Sequence, residues 1–183
     1  MTNNQRFISL LRGINVSGQK SIKMDSLRAL YQTLGFTNIK SYIQSGNLIF
    51  DAPHNDPPKI ITAIEKAIER EFGFSVPVQL RTPLDLTSII DHNPFAEFTE
   101  EANGTRVLVT FLAESPAPDK VELLQEYVSQ PEKLTVLDRH VYLHCPNGYG
   151  ISKLSNTFLE SKLAVPATTR NWKTILKLHE MSA

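Results

Sequence analysis

A chain of 183 residues can fold as one large domain or as two of roughly 80 to 100 residues each. Its composition, 41% hydrophobic and 21% charged, supplies packed cores and excludes wholesale disorder. Net charge is zero, which argues against a general nucleic-acid binder.

The charge is unevenly spread. Residues 1–50 carry six positive and one negative side chain, 51–133 seven and fifteen, and 134–183 six and three. Two basic ends that meet would attract an anionic ligand; otherwise the acidic middle simply offsets them. The single cysteine, Cys145, excludes an intramolecular disulfide and fits a reducing compartment. The opening MTNNQRF has no signal-peptide pattern, and no apolar run approaches the roughly 20 residues of a membrane span. The expected setting is therefore the cytoplasm, with no membrane partner.

Residues 6–12 read as a strand buried on both faces, because Phe7, Ile8, Leu10 and Leu11 are nearly continuous. A polar loop over 13–23 leads to a helix striped by Met24, Leu27, Leu30, Tyr31 and Leu34 and stopped at Gly35. Strands over 39–43 and 47–51 are joined by a Gln44-Ser45-Gly46 turn. Pro57-Pro58 opens a second helix that ends at Gly73, and Val76, Val78 and Leu80 alternate as a fourth strand. The order β-α-β-β-α-β is ferredoxin-like.

After a connector at 83–105 the order begins again. It runs through a strand at 106–112, a helix at 118–129, strands at 134–137 and 141–145 around Asp138-Arg139-His140, and a helix at about 152–163. Where a last strand belongs, the stripe Trp172, Ile175, Leu176 and His179 reads as a helix from Thr169 to about Met181. The expected fold is α+β: duplicated ferredoxin-like βαββα units, two antiparallel sheets with helices, the second copy ending in an extra C-terminal helix. The expected subdomains are 1–82 and 106–183, with 83–105 between them.

Four segments carry a family resemblance: Leu10-Leu11-Arg12-Gly13-Ile14-Asn15-Val16 with Gly18; Tyr42-Ile43-Gln44-Ser45-Gly46-Asn47; Gly148-Tyr149-Gly150 followed by Ser152-Lys153-Leu154-Ser155-Asn156; and Ala167-Thr168-Thr169-Arg170-Asn171-Trp172. Together they resemble the bacterial domain-of-unknown-function family 1697. The chain departs from that pattern at Ser17, where glycine is expected, and at Ile151, where a basic residue is frequent. The resemblance implies the duplicated fold and supplies no mechanism.

The loop Gly13-Ile14-Asn15-Val16-Ser17-Gly18-Gln19-Lys20-Ser21 approaches a phosphate-binding loop but fails as one. Gln19 separates the second glycine from the lysine, and the helix starts near Met24. The five histidines have no metal-ligand spacing, so no metal and no cofactor is expected.

The candidate ligand-binding residues are polar groups beside strand ends and loops. In the first half they are Arg12, Asn15, Lys20 and Lys23, with Gln44, Ser45 and Asn47 at the hairpin tip. The tip residues equally serve turn chemistry alone. In the second half they are Tyr149, Ser152 and Lys153 at a loop-to-helix junction, and Thr169, Arg170 and Asn171 at the expected helix N-terminus. A Ser–Lys or Tyr–Lys pair at the junction is conceivable, but spacing does not establish catalysis.

Three functions compete: a protein binding an anionic small molecule or nucleotide in a cleft between the subdomains, a structural or partner-binding module without chemistry, and an RNA- or DNA-binding module. The third is weakest, because strand 47–51 lacks the basic and aromatic residues that stack bases.

Overall fold

The computed structural model describes residues 3–183. The first half runs β1 (Gln5–Leu11), α1 (Met24–Thr33), β2 (Thr37–Tyr42), β3 (Asn47–Ala52), α2 (Pro57–Phe72) and β4 (Val78–Arg81). After α3 (Pro83–Asp91) and two 3-10 turns come β5 (Val107–Leu112), α4 (Pro118–Gln125), β6 (Lys133–Leu137), β7 (His140–His144), α5 (Asn156–Leu163), β8 (Ala167–Asn171) and α6 (Trp172–Ser182). The strands form two antiparallel four-stranded sheets, β2-β3-β1-β4 and β6-β7-β5-β8. The chain separates into two compact units. The first runs to Leu86 and includes Leu178–Ala183; the second is Thr87–Lys177.

Register makes the duplication explicit. Leu11 pairs with Val78 and Leu10 with Asn47; in the second sheet Leu112 pairs with Ala167 and Phe111 with His140. The residue after each first strand donates to a proline carbonyl, Arg12 to Pro77 and Ala113 to Pro166. Arg81 of β4 and Arg170 of β8 therefore occupy equivalent positions, opposite Ile8 and Val109. Each copy then continues from its last strand into a capped helix. The Thr82 hydroxyl accepts from the Asp85 amide ahead of α3, and Asn171 Oδ1 from the Thr174 amide ahead of α6.

Strand β8 corrects the expectation of a helix beginning at Thr169. Thr168 and Thr169 are β-branched and suit an extended chain. Pro166 lacks an N–H but stands just before the strand, where none is needed. The apolar stripe starts only at Trp172, and the helix starts there with it. A second correction concerns Ile43, which lies in the β2–β3 turn with φ +52.

Side chains from one face of the first sheet (Phe7, Leu11, Leu48, Phe50, Val78 and Leu80) pack with Leu27, Tyr31, Ile60, Ile64 and Ile68 of α1 and α2. Phe36 stacks on Phe50 at 4.5 Å, and Tyr31 meets Phe50 edge-on at 5.3 Å. The Tyr31 hydroxyl is satisfied inside this core by Ser9 at 2.8 Å. Ile8, Leu10 and Ile49 on the opposite face are also buried, as the unbroken apolar run of β1 requires. In the second unit the helix side of the sheet packs Leu108, Leu112, Val141, Leu143 and Cys145 with Leu124, Leu154 and Leu159. On its other side, the Tyr142 hydroxyl donates to the Ile89 carbonyl at the end of α3.

One ion pair fastens the open end of β1 to β3. Arg6 grips Asp51 through both carboxylate oxygens, at 2.8 and 3.1 Å, and Asn38 donates to the same group at 2.7 Å. The Arg6 hydrogen bond, helped by Asn38, holds the Asp51 carboxyl below the usual carboxylate range. A depressed folded-state pKa contributes stability above the unfolded value of about 4 and loses it as pH falls through the folded value. Asp51→Asn is expected to cost about 1 to 3 kcal/mol at neutral pH. In urea titrations across pH, its gap from the wild type narrows steadily below about pH 4.

Candidate functional site

The internal duplication supplies its own comparison. In the first copy, 12–23 connects β1 to α1, where the second copy uses only 113–117. The turn 43–46 stands against 138–139. Conversely, the second copy extends β7 to α5 through 145–155, where the first uses 53–56. Three of the four motifs fall in or overlap these unmatched connections; the fourth, Ala167–Trp172, lies on β8, whose counterpart is β4.

In the first unit, loops 12–23 and 43–46 fold against each other. Asn15 is the tie: its Nδ2 donates to the carbonyls of Ile22 (3.0 Å) and Gln44 (2.7 Å), and its Oδ1 accepts from the Ile22 amide (2.8 Å). Gly46 lies against Leu11 and Ile14 so closely that a Cβ would meet Leu11 Cβ at 2.7 Å. Lys20 Nζ reaches the Ser75 carbonyl at 2.7 Å. The Asn47 amide, fully buried, donates to the Tyr42 carbonyl and the Ser45 hydroxyl, which is turn chemistry.

Left-handed backbone is concentrated here: Gly13, Asn15, Ser17, Gly18, Lys20, Ile43 and Gly46 all have positive φ. For Ile43, β-branched and half exposed, that conformation stores strain. Ser17, where the family pattern has glycine, also takes it, at φ +52.

Beside these loops lies a surface depression of about 360 Å³ lined by Lys23, Met24, Asp25, Arg28, Ser41, Ile43 and Gln44. The N-terminus of α1 opens onto it with Lys23 at the cap position, and no side chain caps the helix. Arg28 bridges the Ser41 hydroxyl and the Asp25 carboxylate. A neighbouring groove of about 620 Å³ shares Asp25 and Arg28 and continues along Gln32, Thr37 and Asn38. Of the expected residues, Lys23 and Gln44 line the depression, Asn15 ties the loops beside it, and Arg12 follows the end of β1 half-buried. Arg28 escaped sequence reasoning; its one signal was an Asp–Arg pair at i,i+3 on α1.

In the second unit, Tyr149 lies in a 3-10 turn, Tyr149–Ile151, and its hydroxyl is enclosed. Burial raises its pKa, and the neighbouring Thr169 hydroxyl offsets this without making a hydrogen bond of normal geometry. Ser152 donates to Glu132 Oε2 at 2.7 Å and accepts from the Leu154 amide. Beside it, burial pushes the Cys145 thiol up to about 11, so it stays protonated and unreactive. Lys153 lies over Tyr127 and Phe158 at 4.9 and 5.7 Å. No Ser–Lys pair forms: Ser152 pairs with Glu132.

Thr169 is a strand residue, bonded to Thr110 at 2.7 Å and Asn156 at 2.9 Å. Arg170 is buried within β8, donating to the Thr168 hydroxyl and the Thr169 carbonyl; burial pulls its guanidinium down to about 10. Asn171 caps α6 through the Thr174 amide. Thr169 and Arg170 belong to the strand, so the helix N-terminus expected at them lies instead at Trp172. Arg12 and Arg170 belong to different units.

Among the described residues, no three His, Cys, Asp or Glu side chains gather as metal ligands, and no helix is long and apolar enough to cross a membrane.

No curated protein matches the chain. Among solved structures it is similar to the conserved bacterial protein SP0830 from Streptococcus pneumoniae. That protein is 23% identical, with 98% of this chain and 99% of that one covered at a TM-score of 0.76, a likeness of fold. The model of a family described as "protein of unknown function (DUF1697)" matches residues 4–142, which include the first two motifs and stop short of Tyr149 and Arg170. The chain is thus a member of the DUF1697 family.

Proposed function

We propose that the loop pair of the first unit binds the anionic group of a small molecule, with a nucleotide or phosphorylated metabolite as the favoured class. The observation that supports this most is the convergence of four features on one depression: the uncapped N-terminus of α1, Lys23, Arg28 and Gln44. Free amides at a helix start carry partial positive charge toward an anion. Lys23 is exposed and adds full charge. Asp25 already holds Arg28, so a ligand competes with it and affinity is modest. The strained turn at Ile43 fits a site held in shape by its surroundings. No catalytic step is assigned. Nucleic acid is disfavoured because Phe7, Phe50 and Phe111 are buried and offer no stacking platform.

Thermal unfolding against phosphate, nucleotides, sugar phosphates, coenzymes and short RNAs tests the reading. A ligand at about 100 times its Kd adds roughly 2.7 kcal/mol, a midpoint rise of about 5 to 11 °C for this length. The rise is expected to disappear in Lys23→Ala/Arg28→Ala. A flat panel, or a rise unchanged in the double variant, contradicts the proposal.

A further inference from the structure

The second unit holds a cation with no partner at the one long loop that the first copy lacks. Arg106 stands immediately before β5, half-buried. Among the described residues its guanidinium forms no ion pair and no hydrogen bond. Three features place the residue against this loop. Its carbonyl accepts from the Cys145 amide at 2.8 Å, the first residue of loop 145–155. That loop closes at once into a turn in which the Gly148 amide donates to the Cys145 carbonyl at 3.0 Å. Gly148 then lies close to the guanidinium: a Cβ there would sit 2.7 Å from Arg106 Nη1.

The backbone at Gly148, φ +104 and ψ 140, is one that L side chains rarely adopt. Glycine is therefore needed for the conformation, and a Cβ at this position would push the guanidinium aside. In the first copy the position equivalent to Arg106 is Gln5, whose amide donates to the Arg6 carbonyl, and the equivalent connection is only 53–56. Arg106 and its glycine cradle are thus particular to the second copy.

A half-buried guanidinium with no counter-charge keeps its donors available to an incoming anion, and its seat beside Gly148 lowers the side-chain entropy lost on binding. The planar fork of an arginine can give two parallel N–H···O bonds to one oxyanion. Glu132, the acidic group nearest in the chain to this loop that is hydrogen-bonded into it, is engaged by Ser152. We propose that Arg106, seated on the turn at Gly148, forms an oxyanion-binding site that takes a carboxylate or phosphoryl group. It stands independently of the reading of the first unit.

The test is a titration of the full chain with inorganic phosphate and, separately, succinate, each against sodium chloride at matched ionic strength. It is followed by NMR at the Arg106 Nε–H and the Gly148 and Gly150 amides, with Arg106→Lys used to assign the side-chain signal. One oxyanion or both should shift these signals saturably, and the two arms show whether the site prefers phosphoryl or carboxylate. Arg106→Gln should weaken the response at least about tenfold. Gly148→Ala should weaken it too while leaving the arginine present, by displacing the guanidinium. Shifts in the wild type that follow ionic strength alone, or an Arg106 Nε–H unmoved by both anions, would overturn the site even where a variant fails to fold. So would an undiminished response in a folded Arg106→Gln protein.

Discussion

Replacing Gly46 by alanine is expected to destabilise the protein by about 3 kcal/mol or more, lowering the unfolding midpoint by about 6 to 12 °C. Two costs add. Gly46 has φ +85, where an L residue loses roughly 1 to 2 kcal/mol. Its missing side chain is also space already filled: a Cβ would lie 2.7 Å from Leu11 Cβ and 2.9 Å from Ile14 Cδ1. Leu11 and Ile14 are both fully buried and have nowhere to retreat.

The second copy explains why this turn requires glycine in the first copy. The carbonyl equivalent to that of Gly46, receiving the amide of Leu112 as Gly46 receives that of Leu11, belongs to Arg139. Arg139 has ordinary backbone and opposes the short connection 113–117, with no counterpart of Ile14. The demand for glycine thus arises from the long loop folding onto the hairpin. Urea and thermal unfolding measure the effect; a Gly46→Ala protein as stable as the wild type would mean that the loops do not meet in this way.

Asn15→Ala should be nearly as damaging, at about 2 to 4 kcal/mol. It removes three hydrogen bonds and leaves the Ile22 amide, on a residue only 3% exposed, without its acceptor. It also places alanine at φ +54, a conformation that asparagine tolerates better. Asn15→Gly separates the terms, because it keeps the backbone freedom and loses only the bonds; it is expected to recover about 1 kcal/mol of the deficit. Asn15→Asp keeps an acceptor for Ile22 but turns a carboxylate toward two carbonyls, so it should not rescue. Equal stability of the alanine and wild-type proteins in urea would refute the role of Asn15 as the tie between the loops.

Most of the fold was legible because its signals are local and redundant. The stripes of α1 and α2, their glycine stops at Gly35 and Gly73 with φ of +83 and +82, and the unbroken apolar run of β1 each specify one outcome. β8 was misread because it is a polar edge strand running directly into a striped helix. The helical pattern extended backward over residues whose extended form comes from pairing with β5, a contact far away in sequence. Ile43 was misread for the opposite reason: a β-branched residue at a strand end prefers extension, yet it lies in a left-handed turn beside the packed Gly46.

The candidate site was less legible than the fold. Lys23 and Gln44 stood out as polar groups beside a loop, whereas Arg28 lies on a helix and Arg106 just before a strand, where charged residues are ordinary. Both gain meaning only from neighbours brought close by folding, Ser41 for the one and Gly148 for the other. Comparison of the two copies exposes the loops once the strands are aligned, and that alignment rests on strand pairing. The four motif segments show no such internal symmetry.

The claim that the first unit's loop pair receives an anionic group is tested most directly by mapping where a ligand binds. The backbone amide spectrum of the full chain would be followed as the best ligand from the thermal panel is added. The account predicts that the amides of Lys23, Met24, Asp25 and Gln44 move first and saturate together, and that Lys23→Ala/Arg28→Ala abolishes their movement. Saturable shifts confined to other residues, with these four amides unmoved, would contradict it.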